Sequence, residues 1–186
     1  MQLKQLQLRN FCQHPDLLLD FAPGLTGIVG ANGSGKSNCV TAARASLTGD
    51  FASPGLKEAN IRRDAPDDAP AFVHASWEHE GLSFEVMRSL RPSSQKLIIG
   101  DRKLTRVSEI ADELERVLGV DKYIVENYLF IAQWQLFDFL SSDQATRMRG
   151  FARLCQVDKA EKIWSLLGTQ IGVDRELAYG VEDTRD

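Results

Sequence analysis

One octapeptide limits this chain more than any other feature. Gly30-Ala31-Asn32-Gly33-Ser34-Gly35-Lys36-Ser37 satisfies G-x-x-x-x-G-K-[ST] at every fixed position. Glycines at these positions let the backbone turn tightly and point successive N–H groups into one concavity. A helix starting at Lys36 adds the positive end of its dipole to that concavity. Lys36 supplies a flexible cationic head that can reach the β- and γ-phosphates, and Ser37 a hydroxyl suited to one place in the octahedral shell of Mg²⁺. The loop needs a strand before it and a helix after it. Leu25–Val29 reads as a short buried strand, and Lys36–Leu47 as the helix, stopped at Thr48-Gly49-Asp50. The octapeptide is therefore expected to hold ATP with Mg²⁺.

The remaining pattern is strand-rich. Gln2–Leu8 alternates with Leu3, Leu6 and Leu8 apolar, and Leu17–Phe21 is a second apolar run before Pro23-Gly24. Residues 51–70 are rich in Pro, Asp, Ala and Gly and read as loop. Phe72–Trp77 and Leu82–Leu90 predict a hairpin turning within Glu78–Gly81. Lys96–Ile99 and Arg102–Leu104 predict another, turning at Gly100-Asp101. Apolar residues at Val107, Ile110, Leu114, Val117 and Leu118 predict a helix capped by Ser108 and ended by Gly119. Lys122–Ile131 is ambiguous between helix and strand. Ser142 or Asp143 is expected to cap a helix running to Cys155, with further helix over Asp158–Leu167. Strand pairs between helical parts predict an α/β fold with a mixed sheet.

At 186 residues, 43% hydrophobic, the chain has enough apolar content for one sizeable core. Its formal net charge of −4 argues against a strongly basic, DNA-coating protein, without excluding local basic patches. No apolar run approaches the roughly 18 residues that span a bilayer, and the opening MQLKQLQLRNF lacks the apolar stretch of a signal peptide. The sequence thus reads as a soluble intracellular, cytoplasmic protein. Cys12, Cys39 and Cys155 are odd in number and widely spaced, which suits ordinary thiols rather than a disulfide frame or a zinc site.

Resemblance narrows the class of phosphate-loop protein. LKQLQLRNF, FAPGLTGIVGANGSGKSN and the helix ending in LTG resemble the N-terminal lobe of an SMC-like ABC ATPase head. ANIRRDAPDDAPAFVHASWEHEGLSFEVMRSL is similar to that family's basic loop, strand, turn and strand ending in Arg-Ser. YLFIAQWQLFDFLSSDQATRMRGFARLCQVDKAEKIW is similar to the Q-loop region of the SbcC family. The resemblance covers residues 1–167 and leaves 168–186 as a polar tail, a candidate start of a coiled-coil arm.

What the resemblance implies falls on particular residues. Gln133 matches the Q-loop glutamine that touches Mg²⁺ or the attacking water, a task suited to an amide that donates and accepts at once, with Gln135 a nearby rival. Arg9 and Asn10 match a turn on the base or ribose side of the nucleotide. Arg62 or Arg63 matches a basic loop facing phosphates or DNA, and Asn38 a position near the α- and β-phosphates. Arg147, Arg149 and Arg153 lie at helical spacing and suit a solvated face or DNA phosphates. His14, His74 and His79 are scattered and carry no metal pattern; Glu78 and Glu80 read as a solvated hairpin tip.

The family's Walker B carboxylates, signature serine and switch histidine have no counterpart in the 186 residues. The expected setting is thus the N-terminal piece of a longer DNA double-strand-break repair ATPase, completed by a C-terminal lobe. A second head joining through ATP, a metallophosphatase-type nuclease and DNA are the implied partners, and a membrane is not. Very weak ATP turnover by this chain alone is expected. A RecF-like or chromosome-organising head without nuclease, and a non-hydrolysing nucleotide-binding interaction module, are the alternatives; a small-molecule kinase suits the strand-rich 72–104 segment poorly.

Overall fold

The computed structural model describes residues 1–51, 57–131, 141–155, 157, 160 and 163–169. These fall into two units, Met1–Phe130 and Ile131–Asp186. The tail expected from residue 168 lies outside the described residues from 170 onward.

The first unit is built on a six-stranded sheet: β1 (Gln2–Phe11), β2 (His14–Asp20), β3 (Ala71–His79), β4 (Leu82–Arg91), β5 (Ser94–Ile99) and β6 (Arg102–Leu104), in the order β2-β1-β3-β4-β5-β6. All five pairings are antiparallel. The α/β class thus holds, with a meander where the sequence suggested mixed pairing. The period-two alternation explains which face is covered. Leu6 and Leu8 of β1, Val73, Ala75 and Trp77 of β3, Phe84 and Val86 of β4 and Leu97 of β5 are all buried. The β3–β4 turn is made at Glu80 and Gly81, both at positive φ (50° and 80°), within the tetrapeptide expected to turn.

Helix α1 (Lys36–Thr48) covers this face. Its inner side carries small residues, with Ala42, Ala45 and Ser46 at 0% exposure, so its backbone comes close to β1, β3 and β4. Gly49 closes it in the left-handed region at φ 76°, its N–H donating to the Ala45 carbonyl at 2.9 Å. Helix α2 (Val107–Leu118) adds Ile110, Leu114 and Leu118 to the core. It starts one residue before the expected cap: Arg106 occupies the N-cap position without a side-chain hydrogen bond, so Ser108 is not the cap. Gly119 ends it as expected. Lys122–Ile131 resolves as a short helix α3 (Lys122–Ile124), capped by Asp121, running into a π turn over Val125–Leu129.

Leu25–Val29 does not join the sheet. Among the described residues it has no strand pairing, and Leu25 stands fully in solvent and Val29 at 94%, whereas Ile28 is at 38%. A run of apolar residues becomes a strand only when a neighbour accepts its backbone groups, and none of the six strands is placed beside it.

In the second unit, α4 (Gln144–Leu154) is capped by Asp143, which accepts from Thr146 N–H at 2.9 Å and from its hydroxyl at 2.7 Å. This selects Asp143 over Ser142. Residues 163–169 are also helical. No helix among the described residues is long and apolar enough to cross a membrane.

Candidate phosphate-binding site

The chain leaves β2 at Asp20, runs without regular structure to Ser34, and enters α1 at Lys36. Gly33 and Gly35 take positive φ (79° and 87°), conformations that L side chains rarely adopt. A Cβ on Gly30 would lie 2.8 Å from the Ser34 hydroxyl, which would have to turn aside to make room. Ser34 N–H donates to the Ala31 carbonyl (3.2 Å), and Asn38 N–H to the Gly35 carbonyl (2.9 Å). Lys36 Nζ lies over the loop, 2.8 Å from the Gly30 carbonyl and 2.6 Å from that of Ala31. Ala31, Asn32, Gly33 and Ser34 are exposed, as is Ser37 in the first turn of α1. A cradle of this shape, with left-handed glycines, a lysine over the loop and an open helix start, fits a polyphosphate group.

The other expected site residues fall in different places. Arg9 on β1 pairs with Asp16 on β2. Asn10 is buried at 7% exposure with φ 45°, and its amide donates to the Pro70 carbonyl at 2.7 Å. Its own carbonyl accepts from Arg62 N–H at 2.8 Å, so Asn10 ties both ends of the 61–70 loop to the end of β1. Arg62 reaches Asp64 at 3.6 Å, and Arg63 is exposed. Asn38, in the first turn of α1, donates to the Gln13 side chain. Gln133 and Gln135 lie outside the described residues. On α4, Arg149 is exposed and the Arg153 side chain lies outside the described set. Glu78 pairs with Lys4 at 2.8 Å and His74 lies 3.3 Å from Glu85, ordinary sheet-surface contacts. No group of His, Cys, Asp or Glu among the described residues is arranged to hold a metal ion.

Two residues without an expected role meet α1, one near each end. His14, the first residue of β2, lies with Nε2 3.1 Å from the Gly35 carbonyl and 3.8 Å from Cys39 Sγ. Arg88, in the inward row of β4, is 6% exposed and donates to the Ser46 carbonyl (3.0 Å) at the far end of α1. Burial pulls its guanidinium down to about 10, a nearby Asp50 partly opposing that. Neither residue carries a local sequence signal, because each partner is more than 20 positions away. An apolar cavity of about 360 Å³, lined by Leu3, Phe21, Thr26, Ile28, Val40 and Phe130 among others, flanks α1 and includes no residue of the Gly30–Ser37 loop.

A glycine cradle opening into a helix packed on an antiparallel sheet defines a P-loop nucleotide-binding lobe. A family model described as an AAA domain (AAA_23) matches residues 5–176, and the chain belongs to that family. It is 26% identical over 174 residues to the DNA double-strand break repair Rad50 ATPase of Methanocaldococcus jannaschii, covering 90% of this chain and 17% of that protein. The Rad50 ATPase of Thermoplasma acidophilum is 27% identical over 175 residues, covering 90% of this chain and 19% of that one. This chain therefore spans less than a fifth of the length of these curated relatives. The resemblance to SbcC-like N-terminal head lobes read from the sequence agrees with the family match and with these relatives. Among solved structures, an SMC head domain from Thermotoga maritima aligns with a TM-score of 0.44 at 26% identity, over 61% of this chain and 42% of that one. An ATP-bound structure of the recombination mediator RecF aligns with a TM-score of 0.45 at 22% identity, over 59% and 29%.

Proposed function

We propose that the chain binds Mg·ATP in the Gly30–Ser37 cradle and serves as the N-terminal lobe of an ATP-driven DNA double-strand-break repair head that gates a partner nuclease. The observation that carries the nucleotide part is the loop itself: left-handed Gly33 and Gly35, with Lys36 Nζ within 2.8 Å of the loop carbonyls. The repair assignment rests on the Rad50 relatives.

In this reading the loop N–H groups and the start of α1 bind the phosphates. Lys36 moves from the carbonyls of Gly30 and Ala31 to the β- and γ-phosphate oxygens, exchanging neutral acceptors for charged ones. Ser37 holds Mg²⁺, and Gln133 is the candidate second contact to the metal or to the attacking water. The ion would supply neutralisation of phosphate charge there. Asn38 serves the phosphates, Arg9 and Asn10 the base or ribose side, and Arg63 or Arg62 the phosphates or DNA. A C-terminal lobe carrying the Walker B carboxylates completes the head, and a second head closes over the nucleotide. The setting is intracellular.

Titration calorimetry of Mg·ATP into the chain and into Lys36→Ala tests the core of this reading. Binding by the parent and its loss in the variant is the expected result. Equal binding by both places the nucleotide elsewhere and rejects the loop as the site.

A further inference from the structure

We infer that His14 is a positioning residue of the phosphate cradle: its Nε2–H holds the Gly35 carbonyl so that the Lys36 N–H faces the ligand. The inference rests on the reading of the loop as a nucleotide site.

A carbonyl oxygen only accepts, so the 3.1 Å contact requires His14 to carry its proton on Nε2. The Gly35–Lys36 peptide is a flat trans unit, in which C=O and N–H point in opposite directions. Holding the Gly35 oxygen on the β2 side therefore aims the Lys36 N–H the other way, out of the helix start. Nothing else from outside α1 reaches this oxygen among the described contacts: its other partners, Asn38 N–H (2.9 Å), Cys39 N–H (3.3 Å) and the Cys39 thiol (3.7 Å), belong to the helix itself. Those bonds move with the helix; the His14 bond ties it to the sheet.

The imidazole also occupies the notch left by the missing side chain. A Cβ on Gly35 would lie 2.5 Å from His14 Nε2 and 2.9 Å from Cε1, distances that real Cβ atoms do not show. Gly35 sits at φ 87° and is the N-cap of α1 with no side-chain cap of its own, so an outside group limits how its peptide turns. The neighbouring residue repeats the arrangement, since Gln13 accepts from the Asn38 amide. Two consecutive residues at the β1–β2 turn thus grip the first turn of α1 from the sheet side. That turn is itself fixed, with Cys12 at φ 50° and its N–H donating to the Asn60 carbonyl at 2.8 Å.

The test compares the 186-residue chain with His14→Ala, His14→Gln and Lys36→Ala. A glutamine amide nitrogen stands near the place of Nε2, so Gln keeps the donor and Ala removes it. Calorimetry with Mg·ATP is expected to show affinity about tenfold weaker for His14→Ala and within about twofold of the parent for His14→Gln, the weight of one hydrogen bond. In parallel, the ¹H–¹⁵N resonance of the Lys36 amide is expected to move in His14→Ala and return in His14→Gln, with thermal midpoints recorded to separate global stability. Parent affinity with an unmoved Lys36 resonance in His14→Ala overturns the inference, as does equal loss in Ala and Gln. Should the parent itself not bind Mg·ATP, the nucleotide reading of the isolated chain fails, and the positioning role stands or falls on the Lys36 resonance alone.

Discussion

The side chain of Arg88 on β4 closes the end of α1: its Nε donates to the Ser46 carbonyl at 3.0 Å, and Nη2 reaches the Leu47 carbonyl at 3.5 Å. A cation at a helix C-terminus meets the negative end of the dipole and satisfies carbonyls that lack a partner within the helix. Arg88 follows Phe84 and Val86 in the same inward row, a charged residue where the pattern calls for an apolar one. Burial disfavours that charge and draws the guanidinium down to about 10, which leaves it cationic at neutral pH. The bonds to α1 and to the Gln95 side chain compensate.

Arg88→Met keeps much of the volume and removes the donors. It is expected to lower unfolding stability by about 2 kcal/mol, since buried carbonyls lose charged partners. Urea midpoints at neutral pH check this. An unchanged midpoint for Arg88→Met would show that the clamp adds nothing beyond packing.

Glu113 predicts an acid dependence. Arg116 donates to both its oxygens (2.6 and 3.1 Å) and Arg102 to one (3.0 Å). The hydrogen bond from Arg116 is the largest cause holding the Glu113 carboxyl below its ordinary value, and the charges of Arg102 and Arg116 act the same way, against the opposing effect of burial. A carboxyl lowered by folding contributes stability that is present above its unfolded value, about 4.3, and lost as pH falls through the folded value. The parent is thus expected to exceed Glu113→Gln in stability at pH 7, with the gap shrinking below about pH 4. Denaturation midpoints across that range decide it; a gap that does not depend on pH would assign Glu113 a packing role.

The three thiols are expected to react at different rates. Burial raises the Cys39 and Cys12 thiols above their ordinary values, and Cys39 is only 3% exposed, whereas Cys155 is exposed. With iodoacetamide at pH 7.5, peptide mapping should find Cys155 alkylated first and Cys39 at least about tenfold more slowly, because the thiolate is the nucleophile. Comparable rates at Cys39 and Cys155 would mean that the start of α1 opens readily.

With Mg·ATP, the chain is expected to release phosphate no faster than Lys36→Ala. In the proposed head the carboxylates that activate water come from a C-terminal lobe, so the Gly30–Ser37 loop is expected to bind nucleotide without hydrolysing it. Steady hydrolysis that disappears in Lys36→Ala would overturn this.

The parts of the molecule that the sequence disclosed are those written locally. The glycine cradle, the Gly49 and Gly119 stops and the Glu80-Gly81 turn each depend on conformations that few residues tolerate. Ser108 has the chemistry of a cap, yet α2 starts one residue earlier, with Val107 already in the helix. Leu25–Val29 has a strand's composition, but a strand exists only with a neighbour. His14 and Arg88 could not be read because their partners, Gly35 and Ser46, come near them only after β2 and β4 have joined the sheet. For Asn10 the sequence carries no sign of its contact with the Pro70 carbonyl, 60 positions away.

The strand order has a consequence for how the chain reaches this structure. Four of the five pairings join strands adjacent in sequence, and only β1 with β3 spans the long stretch holding the cradle and α1. Closing that large loop carries the greatest chain-entropy penalty of the five. The β3–β6 meander and the β1–β2 hairpin are therefore expected to form early and the cradle late, when the β1–β3 zipper brings His14 and Arg88 to opposite ends of the same helix.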